Sequence, residues 1–273
     1  MSEHNTSGHN TSEVTIQAVP MTWSATRLKT FLTCPRQFRY SYVDCIPSVP
    51  TSPLVFGRTL HEVLCFTHER QMQNGHLPPV TEVIEQFDGL WQKALAEEHP
   101  FFRAGAPSPE QHRTTGHEIL RAYLGNSQND KMPLAVELAF EIESGAYKLA
   151  GIVDRVEEGE NGLIVVDFKS GTRKPTQSDL EGDLQFTLYA FALSRMMNRP
   201  VERVVHCHLR DGTRLEATPT DEHFAWLLDE VLPYVAGAVA REEFTPRSGY
   251  WCNWCDFREV CRAENARKFS EVK

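Results

Sequence analysis

The chain has 273 residues, of which 41% are hydrophobic, and it carries a formal net charge of −9 at pH 7. This length and composition allow one large domain or two small ones with a sizeable core. No apolar run reaches the length of a membrane span, and no charged segment followed by an apolar one resembles a secretory signal, so we expect a cytoplasmic protein that does not contact membranes.

Residues 1–20 contain a polar near-repeat, HNTSGHNTSE. Such a segment has almost nothing to bury, so we expect a disordered tail. Both copies match the N-glycosylation pattern, which we interpret as a chance match because no secretory signal accompanies it.

Helices are expected in the next part of the chain. Ser24 is placed to cap an amphipathic helix, and Pro35 marks a break or a new helix start. Apolar residues recur with helical spacing in three further stretches, and Pro and Gly between residues 100 and 109 indicate a loop before the last of them. These three helices are predicted at residues 57–72, 81–98 and 110–124.

Strands begin where apolar and polar residues alternate. Strands are predicted at residues 134–143, 147–157, 163–171, 201–209 and 213–219. Helices are predicted at residues 183–197 and 221–240. The pattern predicts an α/β fold, with a mixed central sheet flanked by helices and a mostly helical segment before it.

Two neighbouring strands carry the most informative side chains, Asp154 on one and Asp167 with Lys169 on the other. Side chains alternate faces along a strand, so Asp167 and Lys169 point the same way. A two- or four-residue turn within GENG pairs positions whose numbers add to an odd sum, which puts Asp154 on that same face. Because paired strands lie about 4.8 Å apart, the three groups can meet at one point.

Two interpretations of this acidic hairpin remain. Two close carboxylates repel each other unless a positive charge lies between them, and their oxygens favour Mg²⁺ or Mn²⁺. The alternative is a solvated strand face with a salt bridge from Lys169. The apolar run LIVV before Asp167 indicates a buried central strand, and buried charges need a partner or a function, which favours the metal site.

The stretch GIVDRVE…VVDFKSG resembles the core of the PD-(D/E)XK nuclease superfamily, and more narrowly its RecB-like branch. Further elements of that pattern follow in the right order: His61 in an upstream helix, and Gln185 with Tyr189 in a downstream helix. Glu137 matches an acidic position on the first core strand less closely. The resemblance spans roughly residues 22–262. His68, seven residues after His61, is interpreted as a structural histidine.

The resemblance implies a restriction-endonuclease-like core and a role for each matched residue. The implied catalytic residues are Asp154, Asp167 and Lys169. The implied ligands of Mg²⁺ or Mn²⁺ are His61, Asp154, Asp167 and the backbone carbonyl of Phe168. The expected DNA contacts are Gln185, Tyr189, Arg173 and Lys174.

Three cysteines near the end of the chain, Cys252, Cys255 and Cys261, have the spacing C-x2-C-x5-C. Cluster-bearing members of the RecB-like branch place one cysteine before the nuclease core and three after it, which implies Cys34 as the fourth ligand of a 4Fe–4S cluster. The arrangement resembles AddB-type helicase–nuclease subunits and CRISPR-associated cluster nucleases. Zinc is the main alternative, because spacing does not distinguish the two. Three isolated cysteines are expected to be small buried apolar residues: Cys45, Cys65 and Cys207.

Arginines cluster near residues 195–214 and 258–267, which fits either a local basic groove or scattered solvated charges. We expect a metal-dependent deoxyribonuclease, in particular an exonuclease acting on single-stranded DNA in recombination and repair. The alternatives are a non-catalytic iron–sulfur DNA-binding subunit of a helicase–nuclease or CRISPR adaptation complex, and a zinc-bearing scaffold. A helicase, recombination or CRISPR protein would be the partner, since the chain has no G-x-x-x-x-G-K-[ST] motif of its own.

The expected organisation is one nuclease domain at residues 21–273 after the tail. Its predicted parts are a helical segment at 60–130, a catalytic core at 134–240, and an iron–sulfur module made of Cys34 and residues 249–262.

Overall fold

The computed structural model describes residues 21–127 and 131–271, and from residue 266 onward it describes the backbone alone. The tail predicted at residues 1–20 lies outside the described residues.

The first half of the described chain is helical, as predicted. Ser24 caps the first helix by accepting a hydrogen bond from the Arg27 N–H at 3.3 Å, and Pro35 begins the next helix. A π-helical turn, Arg39–Val43, follows. The helices are α1 (Ala25–Thr33), α2 (Pro35–Phe38), α3 (Ser52–Asn74), α4 (Val80–Glu98) and α5 (Pro109–Asn126).

The described residues form one sheet of six strands, in the order β1-β3-β4-β5-β6, with β2 paired to the remaining edge of β3. The β1–β3 and β4–β5 pairs are parallel and the other pairs are antiparallel, so the sheet is mixed as predicted. The strands are β1 (Thr22–Trp23), β2 (Pro133–Ser144), β3 (Tyr147–Glu158), β4 (Leu163–Lys169), β5 (Val201–His208) and β6 (Thr213–Ala217).

The β3–β4 hairpin has the predicted register. Glu158 pairs with Leu163 and Arg155 with Val166, so paired positions add to an odd sum across a four-residue loop. The regular pairing ends at Arg155 and Val166, one position before Asp154 would face Asp167. The hairpin therefore places both carboxylates on one face, where the two strands begin to separate.

The remaining helices cover the other face of the sheet and the end of the chain. Helical structure runs from residue 221 to 240 as predicted, but it contains a π-helical segment, Trp226–Val231. These helices are α6 (Gln177–Leu180), α7 (Leu184–Met196), α8 (Asp221–Ala225), α9 (Leu232–Ala240) and α10 (Arg258–Glu271). A short 3-10 turn, Tyr250–Asn253, precedes α10.

Strand β4 separates two apolar clusters. Leu163 and Val165 pack with α1, α7 and α9, whereas Val166 and Phe168 pack with α3, α4 and α5. Every residue of β4 before Lys169 is buried, which confirms the prediction of a buried central strand. Asp167, which is itself buried, therefore lies on the face of the sheet that α7 covers.

One part of the cysteine prediction is wrong. Cys207 is buried and Cys65 is half-buried, but Cys45 is exposed because it lies beyond the π-helical turn at the start of an open loop. His68 is buried, in keeping with a structural role. Among the described helices, none combines the length and apolar character that crossing a membrane requires.

Candidate active site

Three side chains from three elements meet beside the open end of the β3–β4 hairpin. His61 on α3 lies with its Nδ1 3.2 Å from Asp154 Oδ1 on β3, and Glu137 on β2 completes the group. One ligand atom from each of the three residues lies within 4.8 Å of the other two. Two carboxylates and an imidazole at this separation are a donor set that suits a divalent cation.

Backbone geometry brings Glu137 into this group. Its φ of 44° is in the left-handed region, inside a strand whose pairing with β3 keeps one register from Ala135 to Ser144. A non-glycine residue rarely adopts this conformation, and such strain is commonly found at functional sites. Burial and the charge of Asp154 raise the pKa of Glu137, so the two carboxylates repel each other when no cation lies between them.

The second group of side chains surrounds Asp167. Lys169 Nζ lies 2.7 Å from Asp167 Oδ2, and Gln185 on α7 donates from Nε2 to Asp167 Oδ1 at 2.7 Å. Lys169 also donates to Gln185 Oε1 at 3.1 Å. The amide of Gln185 therefore fixes both the Asp167 carboxylate and the Lys169 ammonium. The sequence analysis predicted Gln185 as a DNA contact and did not predict this role within the site.

The electrostatics of Asp167 are set by burial. Burial, opposed by Lys169 and aided by the charge of Asp154, raises the pKa of Asp167 to about 6. Within the described part of the chain, Asp167 Oδ2 makes the ionic contact with Lys169 but no hydrogen bond of good geometry. A buried carboxylate oxygen that accepts no hydrogen bond still has a lone pair with which it can bind a cation.

Neighbouring carboxylates favour the protonated forms of the two basic groups of the site, and burial opposes them. Burial opposes a charge on His61, but the hydrogen bond and charge of Asp154 outweigh it and raise the pKa of the imidazole. For Lys169 burial is likewise outweighed, chiefly by the charge of Asp167, and the pKa of the ammonium rises. The site therefore places acidic and basic side chains in alternation.

Asp154 is oriented by the backbone of β4. Its Oδ2 accepts a hydrogen bond from the Phe168 N–H at 2.7 Å while its Oδ1 faces His61. This hydrogen bond brings the Phe168 peptide, whose carbonyl is a predicted metal ligand, beside the acidic group. His61, Asp154, Asp167, Lys169 and Gln185 are thus brought together as one contiguous site.

Tyr189, one turn later on α7, holds the side chain of Gln185 in place. Gln185 Nε2 donates to Tyr189 Oη at 3.1 Å, and Tyr189 is itself nearly buried. Burial and the charge of Asp167 raise the pKa of the phenol, so it stays protonated. A Cβ added to Gly151 on β3 would lie 3.1 Å from Tyr189 Cε1 and 2.7 Å from Phe140 Cζ, so a glycine at this position lets the tyrosine approach the sheet.

The predicted phosphate contacts lie outside this group. Arg173 and Lys174 are exposed in the loop after β4, where Arg173 pairs with Asp179 at 2.8 Å and Lys174 with Asp211 at 3.1 Å. The arginines of β5 and its preceding loop also have local partners, since Arg203 pairs with Glu216 at 2.8 Å and Arg199 pairs with Glu158. This part of the chain therefore favours solvated ion pairs over a continuous basic groove.

A buried polar network behind the hairpin was missed by the sequence analysis. Arg155 and Glu157 on β3 are both buried, with Nε and Oε1 2.8 Å apart. Arg155 Nη1 also donates to His68 Nδ1 at 2.9 Å, and the His68 ring stacks on Phe168 at 5.8 Å. Burial and the charge of Arg155 lower the pKa of His68 to about 3, so the ring is neutral. The network fixes Phe168 from the side opposite Asp167.

His206 is a second residue that the sequence analysis did not single out. It pairs with Asp167 across the parallel β4–β5 ladder and therefore shares its face. Burial, Lys169 and His208 lower the pKa of His206 to about 4, so it adds no charge to the site. The signal available in the sequence was its alternation with His208 on β5.

The four predicted cluster ligands line one cavity near the C-terminal end of α1. Cys34 follows α1, Cys252 and Cys255 lie around the 3-10 turn, and Cys261 lies on α10. All four line a cavity of about 220 Å³. Burial raises the pKa of Cys255, and Cys34 and Cys252 raise it further, which shows that the thiols are close enough to interact.

No three sulphur atoms of this cavity form a compact group. Among the described residues, His61, Glu137 and Asp154 are the group of three or more metal-binding side chains within 4.8 Å of one another, so no three of the cysteines meet that distance. A tetrahedral zinc site with Zn–S bonds of about 2.3 Å needs sulphurs about 3.8 Å apart. The cysteines share a cavity without forming a compact tetrahedron.

Comparison with known proteins identifies the family to which the chain is similar. The chain matches the model of the PD-(D/E)XK nuclease superfamily over residues 22–262. No curated protein matches the chain. Among solved structures it is similar to "Crystal structure of SSO0001", at 16% identity over 90% of this chain and 89% of that one, with a TM-score of 0.41. It is also similar to the chain named "Putative exonuclease" from Eubacterium rectale, at 10% identity over 86% of each chain, with a TM-score of 0.47.

Proposed function

The chain belongs to the PD-(D/E)XK nuclease superfamily, and from this premise we propose that it is a metal-dependent deoxyribonuclease that uses the site at the open end of the β3–β4 hairpin. The observation that carries the proposal is that two groups of charged and polar side chains, His61–Glu137–Asp154 and Lys169–Asp167–Gln185, lie on adjoining strands joined by the hydrogen bond from the Phe168 N–H to Asp154. Burying charged groups costs free energy, and clusters of such groups with shifted pKa values are found preferentially at functional sites.

The residues present fit a divalent cation, because the site offers carboxylates that repel each other and a neighbouring imidazole. We assign the metal-binding role to His61, Asp154 and Asp167 with the Phe168 carbonyl, and add Glu137. A bound Mg²⁺ or Mn²⁺ would lower the pKa of a coordinated water and neutralise charge on the scissile phosphate.

The chain's own residues supply the remaining chemistry. Lys169, held between Asp167 and Gln185, presents an ammonium that orients the attacking water and stabilises the negative charge of the transition state. Gln185 acts as the positioning residue for that pair, and Tyr189 holds Gln185 in place. A rigid, preorganised charge array needs little rearrangement when the substrate arrives.

The finer assignment is an exonuclease that acts on single-stranded DNA in recombination or repair, together with a helicase or CRISPR-type partner. Its support is the resemblance to the RecB-like branch. On this proposal, the exposed Arg173 and Lys174 of the loop after β4 exchange their partners Asp179 and Asp211 for backbone phosphates when DNA binds.

We assign a 4Fe–4S cluster to Cys34, Cys252, Cys255 and Cys261. The assignment is supported by their common cavity and by sulphurs set farther apart than zinc requires. A cubane cluster holds its thiolates at a greater separation because four iron atoms lie between them. Such a cluster would join the end of α1 to the start of α10.

Digestion of end-labelled single- and double-stranded DNA by anaerobically purified protein, with Mg²⁺ or Mn²⁺, tests the activity. We expect Asp154→Asn and Lys169→Met each to lower the cleavage rate by at least about 100-fold. Glu158→Gln, which removes an exposed carboxylate from the same strand, is the matched control and should cleave normally. Normal cleavage by well-folded Asp154→Asn would contradict the assignment, and DNA binding without cleavage by the unaltered chain would favour the non-catalytic alternative.

Iron and zinc are distinguished by metal analysis and by absorbance. We expect a brown protein that absorbs near ~400 nm, as iron–sulfur thiolate sites do. A colourless preparation with one equivalent of zinc would overturn the cluster and leave the nuclease assignment untouched.

A further inference from the structure

The segment around the last cysteines exposes large aromatic rings. Tyr250 is 78% exposed and Trp254 is 68% exposed, and Trp251 lies half-buried between them. Tryptophan and tyrosine usually bury most of their surface, so two such rings in solvent within five residues require an explanation.

Trp251 and Trp254 are held in place by polar contacts, and Tyr250 packs edge-on against Trp251 with ring centres 5.3 Å apart. Arg103, from the loop between α4 and α5, donates to the Asn253 carbonyl at 3.1 Å and the Trp254 carbonyl at 3.0 Å. Its guanidinium also lies 5.5 Å from the centre of the Trp254 ring. Trp251 donates from Nε1 to the Arg247 carbonyl at 3.0 Å. The segment is therefore a fixed platform, which loses little conformational freedom when a ligand binds.

The platform borders a groove beside α1. The groove has a volume of about 350 Å³, and it is lined on one side by Trp251, Trp254 and Cys255. The other side is the polar face of α1: Thr26, Lys29, Thr30 and Thr33. An aromatic wall facing a polar wall suits a ligand with flat apolar faces and a polar edge.

Lys29 connects this groove to the catalytic residues. Its Nζ pairs with Asp183 at 2.9 Å, and Asp183 caps α7 by accepting from the Gln185 N–H at 2.8 Å. The side chain of Gln185 in turn contacts Asp167 and Lys169. A chain lying in the groove therefore reaches the first turn of the helix that positions the catalytic carboxylate.

Cations surround the platform as well. Arg247 and Arg262 are exposed, Arg258 is half-exposed, and Arg103 lies under Trp254. Asp256 and Glu259 offset part of this charge, since Asp256 pairs with Arg103 at 3.6 Å and Glu259 with Arg262 at 3.4 Å. The balance remains positive in a protein whose net charge is −9, so an anionic polymer is the favoured occupant.

We propose that Tyr250 and Trp254 form a stacking platform for the bases of a single-stranded DNA segment, which the groove beside α1 directs to the active site. The inference rests on the proposed function, because it concerns how the same site receives its substrate. A duplex stacks its bases on each other and offers no free faces to these rings, whereas a single strand does. The platform therefore selects single-stranded substrate by base stacking, and the nearby arginines contact the phosphates.

The test is the affinity for a fluorescein-labelled thymidine oligonucleotide, measured by anisotropy in EDTA so that no cleavage occurs. An abasic oligonucleotide of the same length, which keeps the phosphates and lacks the bases, is measured in parallel. We expect Tyr250→Ala with Trp254→Ala to weaken binding of the thymidine oligonucleotide about 10-fold or more and to leave the abasic one nearly unchanged. Trp254→Phe should restore much of the loss, because phenylalanine still stacks.

Phe66→Ala is the matched control, since Phe66 is a partly exposed ring with Arg70 5.4 Å from its centre, and it does not line the groove. If the platform variant binds both oligonucleotides like the unaltered protein, or loses affinity for both equally, the inference is wrong while the nuclease assignment stands. If the unaltered protein neither binds nor cleaves DNA, the proposed function fails as well. Tyr250→Ala alone removes a side chain with little buried area, so it reports on stacking even if the double variant folds poorly.

Discussion

Replacement of Arg155 by methionine should destabilise the protein strongly, because it breaks a buried ion pair from one side. The Arg155 side chain is 1% exposed and that of Glu157 is 7% exposed, with their charged atoms 2.8 Å apart. Arg155→Met keeps the apolar volume and removes the cation, leaving the Glu157 carboxylate buried and without its partner. Removing one member of a buried pair costs about 3–5 kcal/mol, a large part of the roughly 5–15 kcal/mol by which domains are stable.

Urea unfolding followed by circular dichroism measures this loss as a lower midpoint with an unchanged slope. Two controls define its origin. Arg199→Ala breaks the neighbouring Arg199–Glu158 pair, whose side chains are 39% and 52% exposed, and should change stability little because solvent screens the pair. Arg155→Met with Glu157→Met removes both charges and should recover most of the lost stability. If Arg155→Met costs no more stability than Arg199→Ala, or if the double variant is less stable than the single one, the buried ion pair is not the cause.

Three further predictions concern packing, pH and the cysteine cavity. Gly151→Ala should destabilise the protein by about 1–3 kcal/mol in urea unfolding, because the new methyl group meets Phe140 at 2.7 Å. The folded state keeps His68 neutral down to about pH 3, whereas the unfolded chain protonates it below about pH 6.5, so stability is lost as the pH falls through this range. His68→Gln should flatten that dependence when unfolding is measured at several pH values, and an unchanged slope would contradict it. Cys34→Ser should abolish the absorbance near ~400 nm and lower the melting temperature.

The sequence predicted the parts of the fold that depend on local patterns. Alternation and turn composition were enough to place the β3–β4 hairpin. The length of its turn determined which residues pair across it, and therefore which residues share a face with Asp167. Ser24 and Pro35 marked their helix starts because capping and the missing proline N–H act within one turn. The predicted helices lie within a few residues of the observed ones, with the largest difference at α3, which begins at Ser52. Two helices, α6 and the 14-residue α10, were not predicted.

Features that depend on distant contacts were not predictable from one sequence. The parallel pairing of β1 with β3 joins residues 126 positions apart at Thr22 and Lys148, and a two-residue strand has no periodicity to detect. The left-handed backbone of Glu137 has no local signature, since the residue is neither Gly nor Asn. Arg155 and Glu157 resemble exposed strand residues in sequence, and they are buried because α3 and the segment after α5 cover that face.

Arg36 donates to the Phe244 carbonyl at 2.9 Å and pairs with Glu264, so α2 depends on residues synthesised more than two hundred positions later. During translation, the surface around Cys34 stays uncovered until the segment that contains Phe244 and Glu264 has left the ribosome. Folding of this region is therefore governed by contacts of very high sequence separation, which form slowly and leave apolar surface open to aggregation in the meantime. Any truncation before α10 would deprive the nascent protein of that closure, and heterologous production should favour slow synthesis at low temperature.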